Sequence, residues 1–207
     1  ADNRRVFAYL RSRGIDAEII NHCIKRGQLY EDAEHHNCVF VGYKNGKPTY
    51  GALRGTLSEN TFAGEVPGSD KRFSFAVPLC AGGKTLCVFE AAIDALSYLT
   101  LLKLRGKNWR TANTLSLSGI YQPRKDGSIR LPAALEQYLK DNPGVERIVL
   151  CLDNDTPGRA ASEAIQRQLS AYEVIDNPPR SGKDYNDRLR LVKGISSKVR
   201  TRGGEAR

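Results

Sequence analysis

Six carboxylates fall where apolar runs give way to loops or helix starts. Glu90 follows the run Thr85–Phe89, and Asp94 stands four residues further on. Asp153 and Asp155 follow Val145–Leu152, and Asp184 and Asp187 close the stretch Ser181-Gly182-Lys183-Asp184-Tyr185-Asn186-Asp187. A four-residue spacing puts Glu90 and Asp94 on one face of a helical first turn, and Asp153-Asn154-Asp155 lets two side chains reach one ion. So many negative charges at one rim need neutralising. A hard divalent cation such as Mg²⁺ does this through oxygen ligands. A helix opening at Pro157 points free N–H groups at the same rim, setting an anion site beside the cation site. These parts suit phosphate-ester chemistry at a metal centre. Taken singly, an Asp-x-Asp before a helix is more often a turn with an N-cap. Only the conjunction of acidic positions in this topological order favours a metal.

The elements that must hold these residues are a parallel α/β sheet. Strands are predicted over Thr85–Phe89, Thr111–Leu117 and Val145–Leu152, with a short fourth at Val174–Ile175. Helices are predicted over Ala91–Leu104, Leu131–Leu139, Pro157–Ala171 (N-cap Thr156) and Lys183–Val192. The uniformly apolar third strand reads as buried on both faces, and strand–helix alternation means right-handed crossovers. In such sheets ligands bind beyond the carboxyl ends of the strands, where the acidic residues fall. The preceding part reads as a smaller α+β unit. It has two short helices within Asp2–Gly27, then a hairpin of Cys38–Tyr43 and Pro48–Leu53 around Asn45-Gly46. A surface loop is predicted over 55–72 and a strand over Phe73–Leu79. The run Ala81-Gly82-Gly83 marks the boundary, giving units of 1–80 and 81–193 and a basic, disordered tail from 194 to 207.

Composition narrows the class. With 40% hydrophobic and 27% charged residues, the 207-residue chain is too apolar for disorder and has no apolar run long enough to span a membrane. Five cysteines without a CxxC pair argue against a disulfide framework. A zinc site from His22, Cys23, His35, His36 and Cys38 matches no ribbon or finger spacing, and no zinc is expected. The first residues carry no signal peptide, so a cytoplasmic location is the expectation. The net charge of +9 is most biased in residues 191–207, with five basic residues against one acidic, and favours a polyanionic partner. Lys103, Arg105, Lys107 and Arg110 also cluster around Trp109, and Lys71-Arg72-Phe73 forms a second basic-aromatic spot. A solvated helix end is at least as good an account of the first cluster.

The pattern Glu90-x₃-Asp94, Asp153-x-Asp155-x-x-Gly158-Arg159 and Lys183-Asp184-x-x-Asp187 resembles the Toprim domain of bacterial primases, topoisomerases and related nucleases. The likeness is strongest to primase catalytic cores, and it extends into the first half. Tyr9-Leu10-x-x-Arg13-Gly14-Ile15, Asn37-x-Val39-Phe40 and Gly51-x-x-Arg54 resemble their small subdomain. Within that group the chain is most similar to the primase-like Toprim proteins of conjugative and other mobile elements.

The resemblance implies a Toprim, Rossmann-like parallel sheet. It makes Glu90 a general acid/base or metal ligand and Asp153 and Asp155 the principal ligands of Mg²⁺ or Mn²⁺. Asp184 would serve a second metal, with Asp94 nearby and Asp187 in reserve. Gly158, Arg159 and Lys183 would meet nucleotide phosphates, and Arg54, Lys71 and Arg72 a template in the groove between subdomains. Two positions depart from the family pattern: Ala91 replaces a glycine, and Asn186 stands where replicative primases carry another aspartate. The function implied is a Mg²⁺-dependent nucleotidyltransferase making primers on single-stranded DNA from nucleoside triphosphates. It would serve a plasmid, conjugative element or phage, with a helicase or conjugation proteins as possible partners. The alternatives are a metal-dependent nuclease using the same carboxylates, or a nucleic-acid-binding protein with degenerate chemistry. A topoisomerase is disfavoured, because strand passage needs a nucleophilic tyrosine on a separate domain.

Overall fold

Two short helices open the chain, α1 (Arg4–Ser12) and α2 (Ala17–Lys25), in the computed structural model, which describes residues 2–57, 62–77, 83–119 and 130–195. Asp16 caps α2 by accepting the Glu18 N–H. Gly14 ends α1 at φ +88°, and the N–H groups of Gly14 and Ile15 return to the carbonyls of Arg11 and Leu10. This is a Schellman closure, which needs a left-handed residue at that point. A four-stranded antiparallel sheet follows in the order β1 (Leu29–Glu31), β2 (Cys38–Lys44), β3 (Lys47–Arg54) and β4 (Ala63–Glu65). Asn45 and Gly46 both take positive φ in the predicted hairpin turn. β4 lies inside the stretch expected to be loop. Its Ala-Gly-Glu sequence carries no apolar alternation, and the strand exists because its backbone pairs with Ala52–Arg54.

The second sheet has the order β5 (Ala76–Val77), β7 (Asn113–Ser116), β6 (Thr85–Phe89), β8 (Arg147–Leu150) and β9 (Glu173–Asp176). All its pairings are parallel except that of β5 on β7. The strand expected over Phe73–Leu79 is thus only two residues long within the described chain. Before it, Lys71–Phe73 forms a 3₁₀ turn, because the Asp70 carboxylate accepts the Arg72 N–H. β5 precedes the glycine run yet belongs to this second sheet. The helices are α3 (Ala92–Leu104), α4 (Ala133–Asp141), α5 (Thr156–Gln168) and α6 (Tyr185–Val192). Thr156 is not the cap of α5. Asp155 is, its carboxylate accepting the Gly158 N–H at 2.9 Å, which places Thr156 in the first turn.

Alternation along β6 sends Leu86 and Val88 to a core shared with α4 and α5, and Cys87 and Phe89 to the opposite face. That second core is continuous with the first half of the chain. It runs from Val6, Leu10, Ile19 and Phe40 through α3 to Trp109, Tyr185 and Leu189. Helix α3 is buried on nearly every side for this reason. Among the described residues no helix is long and apolar enough to cross a membrane. The basic residues 198, 200, 202 and 207 of the expected tail lie outside the described residues.

Candidate active site

The parallel strands β6 and β8 end side by side, and three loops meet beyond them. Glu90 leaves β6, and its Oε1 accepts the Asp153 N–H at 3.1 Å. The Asn154 N–H donates to the Lys183 carbonyl at 2.7 Å, tying the loop after β8 to the loop before α6. Lys183 Nζ then stands 3.3 Å from Asp153 and 3.1 Å from Asp155. Gly158 closes this corner. A β-carbon there would fall 2.2 Å from the Asp153 carbonyl oxygen and 2.9 Å from Glu90 Oε1. The glycine is required by that close approach.

Helix α6 takes two carboxylates at its N-terminus. Asp184 is its N-cap, accepting the Asp187 N–H at 2.6 Å, while Asp94 on α3 accepts the Asn186 N–H at 3.0 Å. Helix N-termini favour negative charge. Asn186 itself is buried. Its side-chain amide donates to the Arg13 carbonyl and to Ser97 Oγ, both at 2.9 Å. The departure from the family aspartate therefore serves as a donor that fastens α6 to α1 and α3.

A cleft of about 510 Å³ opens between this rim and the antiparallel sheet. Glu90, Asp94, Asp153, Lys183 and Asp184 line one side, and Arg13 and Arg54 come from the first half of the chain. Arg13 was not among the residues singled out for binding. The signal for it is the Arg13-Gly14 pair, whose left-handed glycine turns the chain at the end of α1. Other predicted residues stand off the cleft lining. Lys71 pairs with Glu65 at 3.1 Å and Arg72 with Asp70 at 2.7 Å. Arg159 donates to the carbonyls of Leu152 and Asp153 and pairs with Asp176 at 2.6 Å, bracing the loop after β8. Asp187 accepts the Lys183 N–H at 3.3 Å. Two of the four basic residues clustered around Trp109 are paired within the protein. Lys103 meets Asp16 and Glu18, Arg110 meets Glu18, and the indole is buried.

Electrostatics mark the rim as short of positive charge. Burial, and then the neighbouring Asp153, push Glu90 up to about 7. Burial and Asp184 raise Asp153, and burial with Asp184 and Asp153 raises Asp94 well above the usual carboxylate range. Asp155 is held low, chiefly by the Gly158 N–H. The Lys183 ammonium is raised by its hydrogen bonds to Asp155 and Asp153, a protein cation seated between two carboxylates. Among the described residues no three His, Cys, Asp or Glu side chains already converge at ligand spacing. The donors are nonetheless hard oxygens carrying excess negative charge, with an ammonium standing in for a cation. That chemistry fits Mg²⁺ or Mn²⁺.

A mostly parallel sheet with glutamate after one strand and Asp-x-Asp after its neighbour is the arrangement of a Toprim domain. Residues 87–189 match the family described as Toprim-like, and residues 8–79 match the family described as protein of unknown function (DUF3991). Residues 87–189 are thus a Toprim-like domain, and the fold of the chain is primase-like.

Among the solved structures that share its fold are three from primases. The primase fragment of the bacteriophage T7 primase-helicase protein superposes with a TM-score of 0.60 at 20% identity, over 89% of this chain and 69% of that one. A chain from the bacteriophage T7 lagging-strand DNA polymerase complex, with primase domains of two gp4 subunits bound to an RNA/DNA hybrid and dTTP, gives 0.60 at 22% identity, over 89% and 84%. The Aquifex aeolicus primase, represented by its zinc binding and RNA polymerase domains, gives 0.55 at 14% identity, over 94% and 55%. No curated protein matches the chain.

Proposed function

We propose that this protein is a primase-like nucleotidyltransferase that joins nucleotides on a single-stranded DNA template. The observation that carries this is the facing of charges across one cleft. Glu90, Asp153 and Asp184 line it from the ends of the parallel sheet, and Arg13 and Arg54 from the first half. Mg²⁺ or Mn²⁺, when bound, would neutralise phosphate oxygens and stabilise charge at the transferred phosphorus. Asp153 and Asp155 would hold it, with Asp184, Asp94 and Asp187 near a second position.

The geometry supports the following part for the protein's own residues. Glu90, poised near neutrality, accepts the proton of the attacking hydroxyl. Arg13 and Arg54 hold phosphates against the carboxylate wall as fixed donors. Lys183 bridges the loops that set Asp153 and Asp155, and its ammonium would be free to meet a phosphate if a cation were held by those carboxylates. The neighbour with the shared fold is part of a bacteriophage primase-helicase, which supports a helicase as partner and a role in phage replication; a plasmid or conjugative element is proposed on the sequence resemblance alone. Co-purification with a replicative helicase tests that partnership.

The test of the activity is primer synthesis on single-stranded DNA with labelled nucleoside triphosphates and Mg²⁺ or Mn²⁺. Labelled oligomers from the wild type, lost in Glu90→Gln and in Asp153→Ala/Asp155→Ala, are the expected result. Shortened DNA without triphosphates would replace this activity with a nuclease. Neither product, together with no calorimetric Mg²⁺ binding, would leave a binding protein.

A further inference from the structure

We propose that a second cleft, back to back with the first, is a nucleotide-binding site. It has a volume of about 410 Å³ and lies between the β2–β3 hairpin, the 3₁₀ turn at Lys71–Phe73 and α4. Its placement follows from strand alternation. Phe40 lines the carboxylate cleft and its neighbour Val41 the second cleft, and Ser116 and Leu115 divide in the same way.

Three features define what fits there. The floor is apolar and short, with Val41, Leu115 and Ala134, and Tyr43 from the hairpin and Tyr138 from α4 contribute aromatic rings. That composition takes a flat, apolar body. Gln28 lines the same cleft and is 6% exposed. Its amide nitrogen donates to the Ala76 carbonyl at 2.6 Å, which fixes Oε1 as an acceptor; that oxygen has no donor among the described residues and is closed to solvent, so a ligand reaches it by displacing the side chains that cover it. An unsatisfied buried acceptor costs about 1–3 kcal/mol unless something donates to it. At the rim, the exposed Arg26 guanidinium has no ion-pair or hydrogen-bond partner among the described residues, which suits an anion.

A nucleotide meets all three demands: a planar base for the aromatic walls, an exocyclic amine or ring N–H for Gln28, and a phosphate for Arg26. An acyl chain supplies neither the donor nor the anion, and inorganic phosphate lacks the planar body. The rim carboxylate of Asp141 suits sugar hydroxyls as donors and disfavours a bare polyanion. The ligand is a free nucleotide or one unit of a nucleic-acid strand.

The experiment is calorimetric binding to the full chain in EDTA, which removes metal-dependent binding at the carboxylate cleft, and in an Arg13→Ala/Arg54→Ala background, which removes its phosphate donors, with AMP and a single-stranded oligothymidylate as separate probes. Binding is expected to persist in Asp153→Asn and to weaken about tenfold in Arg26→Glu, the loss of one charge-assisted contact. Ala134→Leu, which fills the floor, is expected to weaken it as well. Thermal melts confirm that each variant is folded, and Arg26 is exposed, so its change leaves the core intact. AMP binding with this pattern assigns a free nucleotide. Oligonucleotide binding alone, with the same pattern, assigns a strand. The proposal is overturned if neither probe binds in EDTA, if binding ignores both Arg26→Glu and Ala134→Leu, or if Asp153→Asn abolishes it. Because no metal is present, failure here is distinct from failure of primer synthesis.

Discussion

A β-carbon on Gly158 would come within 2.9 Å of Glu90 Oε1, so the first turn of α5 and the end of β6 leave no room for a side chain between them. The Asp153 carbonyl is closer still, at 2.2 Å. Gly158→Ala therefore has to displace backbone. Overpacking of this kind costs about 1–3 kcal/mol. Thermal denaturation should show that loss together with weakened Mg²⁺ binding. Gly144→Ala, where a β-carbon would meet nothing within 4 Å, should leave both close to wild type. Equal stability of the two variants would show that the corner is not tight.

Asn186→Asp is the substitution that would restore the family residue, and the surroundings reject it. The amide donates to the Arg13 carbonyl and Ser97 Oγ inside the protein, and Asp94 is hydrogen-bonded to the same residue's backbone. A carboxylate cannot donate, and it would sit beside another acid. A loss of about 2–4 kcal/mol is expected in urea denaturation at neutral pH. Unchanged stability would mean that the helix contacts are not held by this amide.

Lys183→Met should tighten Mg²⁺ binding in the absence of nucleotide, because the ammonium between Asp153 and Asp155 competes for the same oxygens. Calorimetry with the metal alone reads this directly. Weaker binding in the variant would show that Lys183 organises the ligands and does not compete with the metal. Nucleoside triphosphate affinity is expected to fall in the same variant, since a phosphate-facing cation has been removed.

Acid stability should fail in part at Asp16. Burial pushes its carboxyl upward, but hydrogen bonds from Lys103 Nζ and the Glu18 N–H outweigh burial and hold it below the usual value of 3.8. A lowered folded-state value means stability that is fully present above pH 4 and lost as pH falls through the folded value. Asp16→Ala should cost about 1 kcal/mol at pH 7 through the lost α2 cap. The Lys103 pair is partly exposed and adds at most a similar amount, screened by salt. The variant's deficit should shrink as pH falls below 4, and a constant deficit down to pH 2 would exclude the carboxylate's charge as its source.

The parallel half was legible because its signals are local. Thr85–Phe89 is an apolar run whose bounds match β6, and the acids that follow the strands fall at the rim because strand ends are where such residues must lie. Other features depend on contacts distant in sequence. β1 and β4 are three residues each and form only by pairing with a neighbour. Asp155 and Thr156 are both good caps, and the choice between them falls to which one reaches the Gly158 N–H. That Arg159 braces carbonyls, or that Asn186 is a buried donor, depends on packing between segments more than 90 residues apart in the second case, where the partner is Arg13. Spacing along the chain carries no trace of either.

The shared core from Val6 to Leu189 has a mechanical meaning. Two blocks with separate interiors can swing about a joint, but these two halves are welded through α3. The gap that faces the carboxylates is therefore a fixed aperture, shaped before any substrate arrives. Selection of what enters falls to its width and the charges on its walls, and a heat-melting curve should show one sigmoid for both halves together.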